Sequence, residues 1–465
     1  MLMPLNFDRL SSGDFFISNC AGFHLVVGAD SFEKLVRLDE SCVDKDLSDS
    51  LRRRLFLTSQ SDLQVSLASL ASAQSKRLLE GLRFNPTFMI VPTLRCDHTC
   101  NYCQVSRASL KAHEYDLAPS KIPQIMELVK KLGQPPYKLE IQGGEPLVRF
   151  DLVKTIYAKA VEVLGEDSFE MVITTSLSLI DEAMLAWAEP RKVGFSTSLD
   201  GAEVVHNKNR ILPGNNSHAL VVRGVEAINK ILGPGRVATV TTVTKALLKE
   251  PESLVRAHLE LGLNEMFVRP ISPYGFANKQ AEAGYSFEEY MDFYDRLLSI
   301  LIKLNREGHR LLEHSGAIHL KRVFNPGFNS YADLKSPSGF LLDCVMFNYD
   351  GQIFGSDEAR MLQRVIGNVD FSCGSVENFD AEKNPLYAKV LADSMNSIHP
   401  GCEQCAYQPF CGTDPCQSIS EQGEPIGDKS ISTFCNYHKA MFRYLVDRYY
   451  SDLDARELLE TWHHG

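Results

Sequence analysis

The residues with the most chemistry in the shortest stretch are Cys96, Cys100 and Cys103, in the run Cys96-Asp97-His98-Thr99-Cys100-Asn101-Tyr102-Cys103. Iron–sulfur clusters are held by Cys thiolates, normally four per cubane. Three thiols from one loop leave one iron without a protein ligand, and an open metal position is where a small molecule binds. A zinc loop and a set of buried thiols are the plainer readings. Structural zinc sites usually close all four positions with two Cys-x2-Cys-type pairs, yet the next Cys after this trio is Cys344. His98 is a further candidate ligand, although it lies between two thiols that already span the loop.

A second concentration of thiols runs Cys402-x2-Cys405-x5-Cys411-x4-Cys416, with Cys435 beyond it and Cys344 and Cys373 before it. Such density in a turn-rich segment reads as a metal site, of either zinc or iron–sulfur type. Cys20 and Cys42 are isolated and read as structural or surface thiols. The net charge of −11 argues against a general nucleic-acid surface. Apolar runs are short and interrupted, so no membrane span is expected. The first residues, MLMPLNFDRL, lack the basic-then-apolar pattern of a signal peptide. The expectation is a cytoplasmic protein, in which the 12 Cys do not form structural disulfides.

The elements that must position these groups follow from the pattern of residues 86–310. TFMIVPT, KLEIQGG, FEMVITTS, KVGFSTSLDG, RVATVTTVT and EMFVRPIS read as strands, each followed by a helical segment. Ser120 is expected to cap the first of those helices. Strand–helix alternation with β-branched strands marks a parallel sheet, either an open doubly wound sheet or a partial barrel. Such folds place chemistry at the C-terminal ends of their strands. The unusual residues obey that rule: Cys96–Cys103, then Gly143-Gly144-Glu145-Pro146, Thr174–Ser176, Ser198 with Asp200 and Gly201, Thr241, Thr242 and Thr244, and Arg269 with Ser272. Residues 1–85 read as a small α+β module with two β-runs around a Cys20-Ala21-Gly22 turn. Its edge is a usable template for peptide docking, and Arg52-Arg53-Arg54 reads as a solvated helix face. Residues 311–340, with GFNSYADLKSPSG, read as a linker or cover, 341–440 as the Cys-rich domain and 441–465 as a helix. The whole stretch Tyr437–His464 is amphipathic, with His463-His464 as its solvated end.

The motif Cys96-x3-Cys100-x-Tyr102-Cys103 resembles that of radical S-adenosylmethionine (SAM) enzymes. The resemblance implies that Cys96, Cys100 and Cys103 hold a [4Fe–4S] cluster whose fourth iron is chelated by SAM. It also implies reductive cleavage of SAM to a 5′-deoxyadenosyl radical that takes a hydrogen from substrate. The family fold is a partial (β/α)6 TIM-like barrel, which decides what pattern left open. Gly143-Gly144-Glu145-Pro146 is similar to the family's Gly-Gly-Glu-Pro, which implies that Glu145 accepts from the SAM ammonium. Ser198-Leu199-Asp200-Gly201 with His206 and Arg210 resembles an element of peptide-modifying members, placing Ser198 and Asp200 by the SAM ribose and carboxylate and Arg210 by that carboxylate. A surface ion pair reads Arg210 equally well. Tyr102 is implied near the adenine, or is simple packing. Ser176 stands where the family has Asn-Gly.

The C-terminal thiols resemble a SPASM domain. By that pattern Cys402, Cys405, Cys411 and Cys435 hold one auxiliary cluster, and Cys344 and Cys416 belong to a second. The family's Gly-x4-Cys is Gly351-x4-Ser356 here, and four residues follow Cys411 where the family has three, so the second cluster is incomplete, of another type, or completed by Cys373 or Asp357. Cys100–Arg107, QGGEPLVRFDL and VRPISPYGFA resemble the His-Xaa-Ser system radical SAM maturase. That implies a peptide substrate with His-Xaa-Ser repeats, an electron donor such as flavodoxin or ferredoxin, and a companion maturase, with neither nucleic acid nor membrane as partner. It names no catalytic residue for quenching the radical. A sulfatase-maturing or thioether-forming enzyme is the alternative within the class, and a zinc-stabilised interaction protein the alternative outside it.

Overall fold

A computed structural model of the chain describes residues 1–37, 44–272, 284–325, 331–367, 369–381 and 384–464. Cys42, residues 327–330 of GFNSYADLKSPSG and the Pro273–Ala277 part of VRPISPYGFA lie outside them. All six expected strands form: β1 (Thr87–Ile90), β2 (Tyr137–Ile141), β3 (Phe169–Thr174), β4 (Gly194–Ser198), β5 (Val237–Thr242) and β6 (Glu265–Arg269). The helices between and after them are α1 (Ile122–Leu132), α2 (Phe150–Leu164), α3 (Glu182–Ala188), α4 (Ser217–Ile231), α5 (Pro251–Glu260) and α6 (Phe287–Arg306). Every neighbouring pair is parallel and the order is sequential from β1 to β6. This is the expected α/β class, a partial barrel-like parallel sheet.

Side-chain alternation explains which face each strand shows. On β2, Tyr137, Leu139 and Ile141 are buried, while Lys138 and Glu140 point the opposite way. α6 begins with a full capping box, Ser286 and Glu289 each bonding the other's backbone N–H. The first helix departs from expectation. Pro119 starts a 3₁₀ turn that runs straight into α1, so Ser120 lies inside that turn and does not cap the helix.

The chain divides into two compact units, Phe84–Ser315 with Phe340–Val390, and Met1–Arg83 with Gly316–Gly339 and Leu391–Gly465. Residues 341–440 are therefore shared between them. In the first unit, Cys344–Phe347 pairs in parallel with β1, and two antiparallel strands, Gln352–Phe354 and Ser372–Ser375, extend the sheet further. An apolar Cys-Val-Met-Phe run covers the edge that β1 would otherwise leave open. Beyond β6 the short strand Leu312–Glu313 closes the other side.

The second unit carries an antiparallel sheet of Asn6–Arg9, Phe15–Ser18 and His24–Val27. The last two are the β-runs expected around Cys20–Gly22; the first was not foreseen, because a four-residue polar strand has little signal. Leu10, Phe16, Leu334, Tyr407, Phe410 and Phe442 share one core. Polar contacts follow: Asn6 Nδ2 donates to the carbonyls of Glu403 (2.9 Å) and Cys405 (3.3 Å), and Tyr407 donates to Asp8 (3.1 Å). The helix His314–Phe324 falls where a linker was expected. The tail is two helices, Thr433–Ser451 and Leu453–His464. Asp452 breaks it by accepting from the N–H groups of Asp454 and Ala455, an N-cap for the second helix. His463 is not a solvated end: it is 4% exposed and stacks on Phe324.

Leu139, on the buried face of β2, is 1% exposed. Leu139→Ala is expected to destabilise the sheet unit by about 2–5 kcal/mol, read as a lower urea midpoint at unchanged far-UV circular dichroism.

Candidate active site

Two loops meet backbone to backbone above β1 and β2. The Gly144 N–H donates to Thr93 O (2.9 Å) and the Glu145 N–H to Arg95 O (2.8 Å). A Cβ on Gly143 would lie 2.3 Å from Thr93 O, and one on Gly144 2.3 Å from Leu94 O. Gly143 also has φ +151°. The glycines thus serve the approach of one loop to the other. Pro146 then opens a buried 3₁₀ turn. Glu145, 1% exposed, accepts from the Leu147 N–H and Thr175 Oγ1 on one oxygen and from the Ser176 N–H and Oγ on the other, at 2.7–2.9 Å. Four donors fill the acceptor positions of a carboxylate. Burial raises the Glu145 pKa, and these donors oppose the rise.

The residue before Cys96 is clamped as well. Arg95 binds Asp116 through Nε and Nη2, both at 2.8 Å, and donates to Leu110 O. Thr93 and Arg149 also donate to Asp116. Burial alone would raise the Asp116 pKa; the hydrogen bonds from Arg95, Thr93 and Arg149 bring it below the usual carboxylate value. Beyond Cys103, Arg360 donates twice to Val105 O and Arg364 to Ser106 O.

A buried relay crosses from the loop to the end of β4. His98 bonds Asp97 (2.8 Å) and Ser217 (2.9 Å); Ser217 bonds His206 (3.1 Å); the Asp200 N–H faces His206 Nδ1 (3.3 Å). A backbone N–H only donates and a carboxylate only accepts. The ends therefore fix one nitrogen of each ring: His206 accepts at Nδ1, which leaves Nε2 to donate to Ser217, and His98 donates from Nδ1 to Asp97. Burial holds the His206 pKa well below normal, consistent with neutral imidazole. In parallel, Tyr102 donates to Asp200 (2.7 Å) and accepts from Arg210 (3.0 Å). Asp200 also takes Asn209 Nδ2 and the Thr242 N–H. Cys100 is the ladder partner of Arg210. Arg210 is therefore no surface ion pair, and the Tyr102 hydroxyl is held from both sides.

One cavity of about 170 Å³ gathers most of the expected residues. Cys96, Cys100, Cys103, Tyr102, Gly143, Gly144, Glu145, Ser176, Ser198 and Arg210 line it, together with Gln142, Thr242, Arg269 and Asp357. Asp200 and Pro146 are buried and do not line it. Burial raises the Cys96 thiol well above its ordinary pKa, with Glu145 adding to the effect, and raises Cys100 to about 11 despite Arg210. The three thiols line one cavity, are not disulfide-bonded, and would release protons on taking a metal. They fit a three-Cys cluster. Arg95, Asp116, Ser217 and Arg360 were not found from sequence. Their partners described above are 11 or more residues away, and the sequence marks His98 only as a candidate ligand.

In the other unit, Cys402, Cys405, Cys411 and Cys435 line a second cavity, of about 250 Å³, with Lys429 and Lys439. Burial raises all four thiols, Cys402 to about 11. Four thiols on one cavity match the ligand number of a four-Cys cluster and of a four-Cys zinc site. The other pair does not assemble within one unit. Cys344 lies beside Met89, its Sγ 3.5 Å from the thioether, in the sheet unit, and Cys416 is buried in the helix Pro415–Gln422 of the other. Ser356 caps the helix Asp357–Ile366, Asp357 lines the first cavity, and Cys373 is buried in an edge strand.

Residues 90–262 match the Radical SAM superfamily. The chain contains a radical SAM domain. Such domains use a [4Fe–4S] cluster and SAM. The chain is 20% identical over 375 residues to the cysteine-type anaerobic sulfatase-maturating enzyme of Clostridium perfringens, covering 76% of this chain and 94% of that one. Its fold is similar to that of anSMEcpe with bound AdoMet and Cp18Cys peptide (TM-score 0.65, 15% identity, 82% of this chain and 100% of that one). It is also similar to Streptococcus suis SuiB bound to the precursor peptide SuiA (TM-score 0.54, 14% identity, 92% and 98%). Among the described residues, no helix is long and apolar enough to cross a membrane.

Two outcomes are expected of the radical SAM domain. Ser217→Ala removes the hydroxyl shared by His98 and His206 and should cost about 1–3 kcal/mol, with iron lost faster to a chelator after reconstitution while Ser217→Thr retains it. The Asp116 pKa is depressed on folding, so its contribution is full above the unfolded value and is lost as pH falls through the folded one, below about 3.8. Asp116→Asn should be less stable near neutral pH and should lose less stability over that acid range, measured by urea unfolding at each pH.

Proposed function

We propose that the chain is a radical SAM maturase that modifies a ribosomally made peptide, a His-Xaa-Ser repeat peptide. The observation that carries this reading is the single cavity on which Cys96, Cys100 and Cys103, the Gly143–Glu145 loop and the ends of β3 and β4 converge. Cys96, Cys100 and Cys103 would hold the [4Fe–4S] cluster, which supplies reductive cleavage of SAM to a 5′-deoxyadenosyl radical. The backbone of Gly143 and Gly144 with Ser176 and Ser198 frames the site, and Arg210 places a guanidinium beside Cys100. Tyr102 closes one wall with its hydroxyl tied to Asp200. Support for a peptide substrate comes from two proteins of similar fold, whose structures hold a Cp18Cys peptide and the precursor peptide SuiA. In this reading Cys402, Cys405, Cys411 and Cys435 hold an auxiliary cluster, and the protein works in the cytoplasm with a one-electron donor and a companion maturase.

A second reading is oxidation of a Cys or Ser side chain on a sulfatase-type protein. The likeness to the Clostridium perfringens enzyme favours it. Mass spectrometry after co-expression separates the two: a changed His-Xaa-Ser peptide supports the first, and a sulfatase-derived peptide losing two hydrogens supports the second. Anaerobic reconstitution tests the shared chemistry. Replacing Cys96, Cys100 and Cys103 with Ala should remove about four irons and abolish 5′-deoxyadenosine formation. Stoichiometric zinc without sulfide in the wild type would overturn both readings.

A further inference from the structure

We propose that the surface over the Cys loop is the docking face for a small acidic one-electron carrier. The proposal rests on the radical SAM reading of Cys96, Cys100 and Cys103. The chain has a net charge of −11, yet one concave surface of the sheet unit is lined by Lys208, Lys245, Lys249 and Arg296 against Glu289 and Asp292. All four cations are exposed, and Glu289 is engaged by the Ser286 N–H. Arg296 reaches Leu248 O, and none of the three lysines has an ion-pair partner among the described residues. The site is an island of positive charge on an acidic protein.

That island is joined to the Cys loop. Asn101, between Cys100 and Tyr102, donates its N–H to Asn209 O (2.9 Å) and its Nδ2 to Lys208 O (2.8 Å). Thr99 and Cys100 pair with Ile211 and Arg210 in a two-strand ladder. Ile211 is 45% exposed, and Val204, one turn before Lys208 on the helix Glu203–Asn209, is 80% exposed. Exposed aliphatic groups beside a basic rim fit a protein partner better than a small anion, and opposite charge steers such a partner to the face. Cleavage of SAM takes one electron from outside the chain. A donor seated on Val204 and Ile211 meets the residue next to the ladder partner of Cys100. In the step itself, one electron leaves a flavin hydroquinone, which becomes the semiquinone, and enters the cluster; no proton is transferred.

The test uses the full-length reconstituted protein with flavodoxin as probe. Lys208→Glu/Lys245→Glu/Lys249→Glu is expected to weaken flavodoxin binding about tenfold or more at low salt and to slow cluster reduction by flavodoxin hydroquinone in stopped-flow absorbance. Raised salt should weaken wild-type binding and narrow the gap. Iron content, cluster reduction by dithionite and dithionite-driven 5′-deoxyadenosine formation should stay unchanged. The same substitutions to Gln give an intermediate effect and stand in for the Glu variant should that lose iron. Unchanged flavodoxin affinity and reduction rate would overturn the proposal, as would weakened binding of the substrate peptide with flavodoxin unaffected. Failure of the underlying reading looks different: the wild type would then hold no cluster on the three thiols and cleave no SAM with dithionite.

Discussion

The site depends on a contact with no room for a side chain. Gly143 and Gly144 press against the carbonyls of Thr93, Leu94 and Arg95, where added Cβ atoms would sit 2.3 Å from backbone oxygens. Two hydrogen bonds lock that contact. Because β1 and β2 are adjacent and in register, their loops emerge together, and the missing side chains let them touch. The Cys loop thereby has its entry fixed by the strand next door. A loop built only from its own turn would hold three thiols less firmly than a metal site demands.

The other restraints act around the same loop. Arg95 and Asp116 hold its start, the His98–Ser217–His206 relay its middle, the ladder with Arg210 its centre, and Arg360 with Arg364 the residues after Cys103. These partners come from widely separated parts of one unit. Buried networks of this sort are demanding, because a half-satisfied member costs more than an apolar one. A backbone donor at one end of the relay makes His206 Nδ1 an acceptor, and a carboxylate at the other makes His98 Nδ1 a donor. The result is preorganisation: all three thiols face one cavity, and burial raises the pKa of Cys96 and Cys100.

The sequence revealed the parts whose signals are local. Strand–helix alternation gave all six parallel strands, and Cys spacing with the Gly-Gly-Glu-Pro after β2 gave most of the cavity lining. What stayed hidden was long-range. Nothing in Cys-Val-Met-Phe at 344–347 says that it pairs with β1 and joins the sheet unit, since a short apolar strand carries no address. Ser217 looks like an ordinary helix start until His98 and His206 are brought to it. The tail misled for the opposite reason: its amphipathic period continues across Asp452, but the carboxylate at that position bonds forward and ends one helix to begin another.

Glu145 shows where a motif says less than the packing. The resemblance assigns it to the SAM ammonium, yet its four acceptor positions are taken by Leu147, Thr175 and Ser176. A cation brought to this carboxylate has to displace a donor. Backbone N–H groups of Leu147 and Ser176 cannot leave without moving the chain, and Thr175 Oγ1 is buried and also takes the Leu177 N–H. Ser176 Oγ differs, because Ser178 Oγ lies 2.8 Å away as a second acceptor. Rotation of that one hydroxyl frees a lone pair on Glu145 without leaving the donor unsatisfied. A Ser at this position, in place of the family's Asn-Gly, thus supplies a donor that can yield. The same carboxylate can then both brace the loop and receive a charged group.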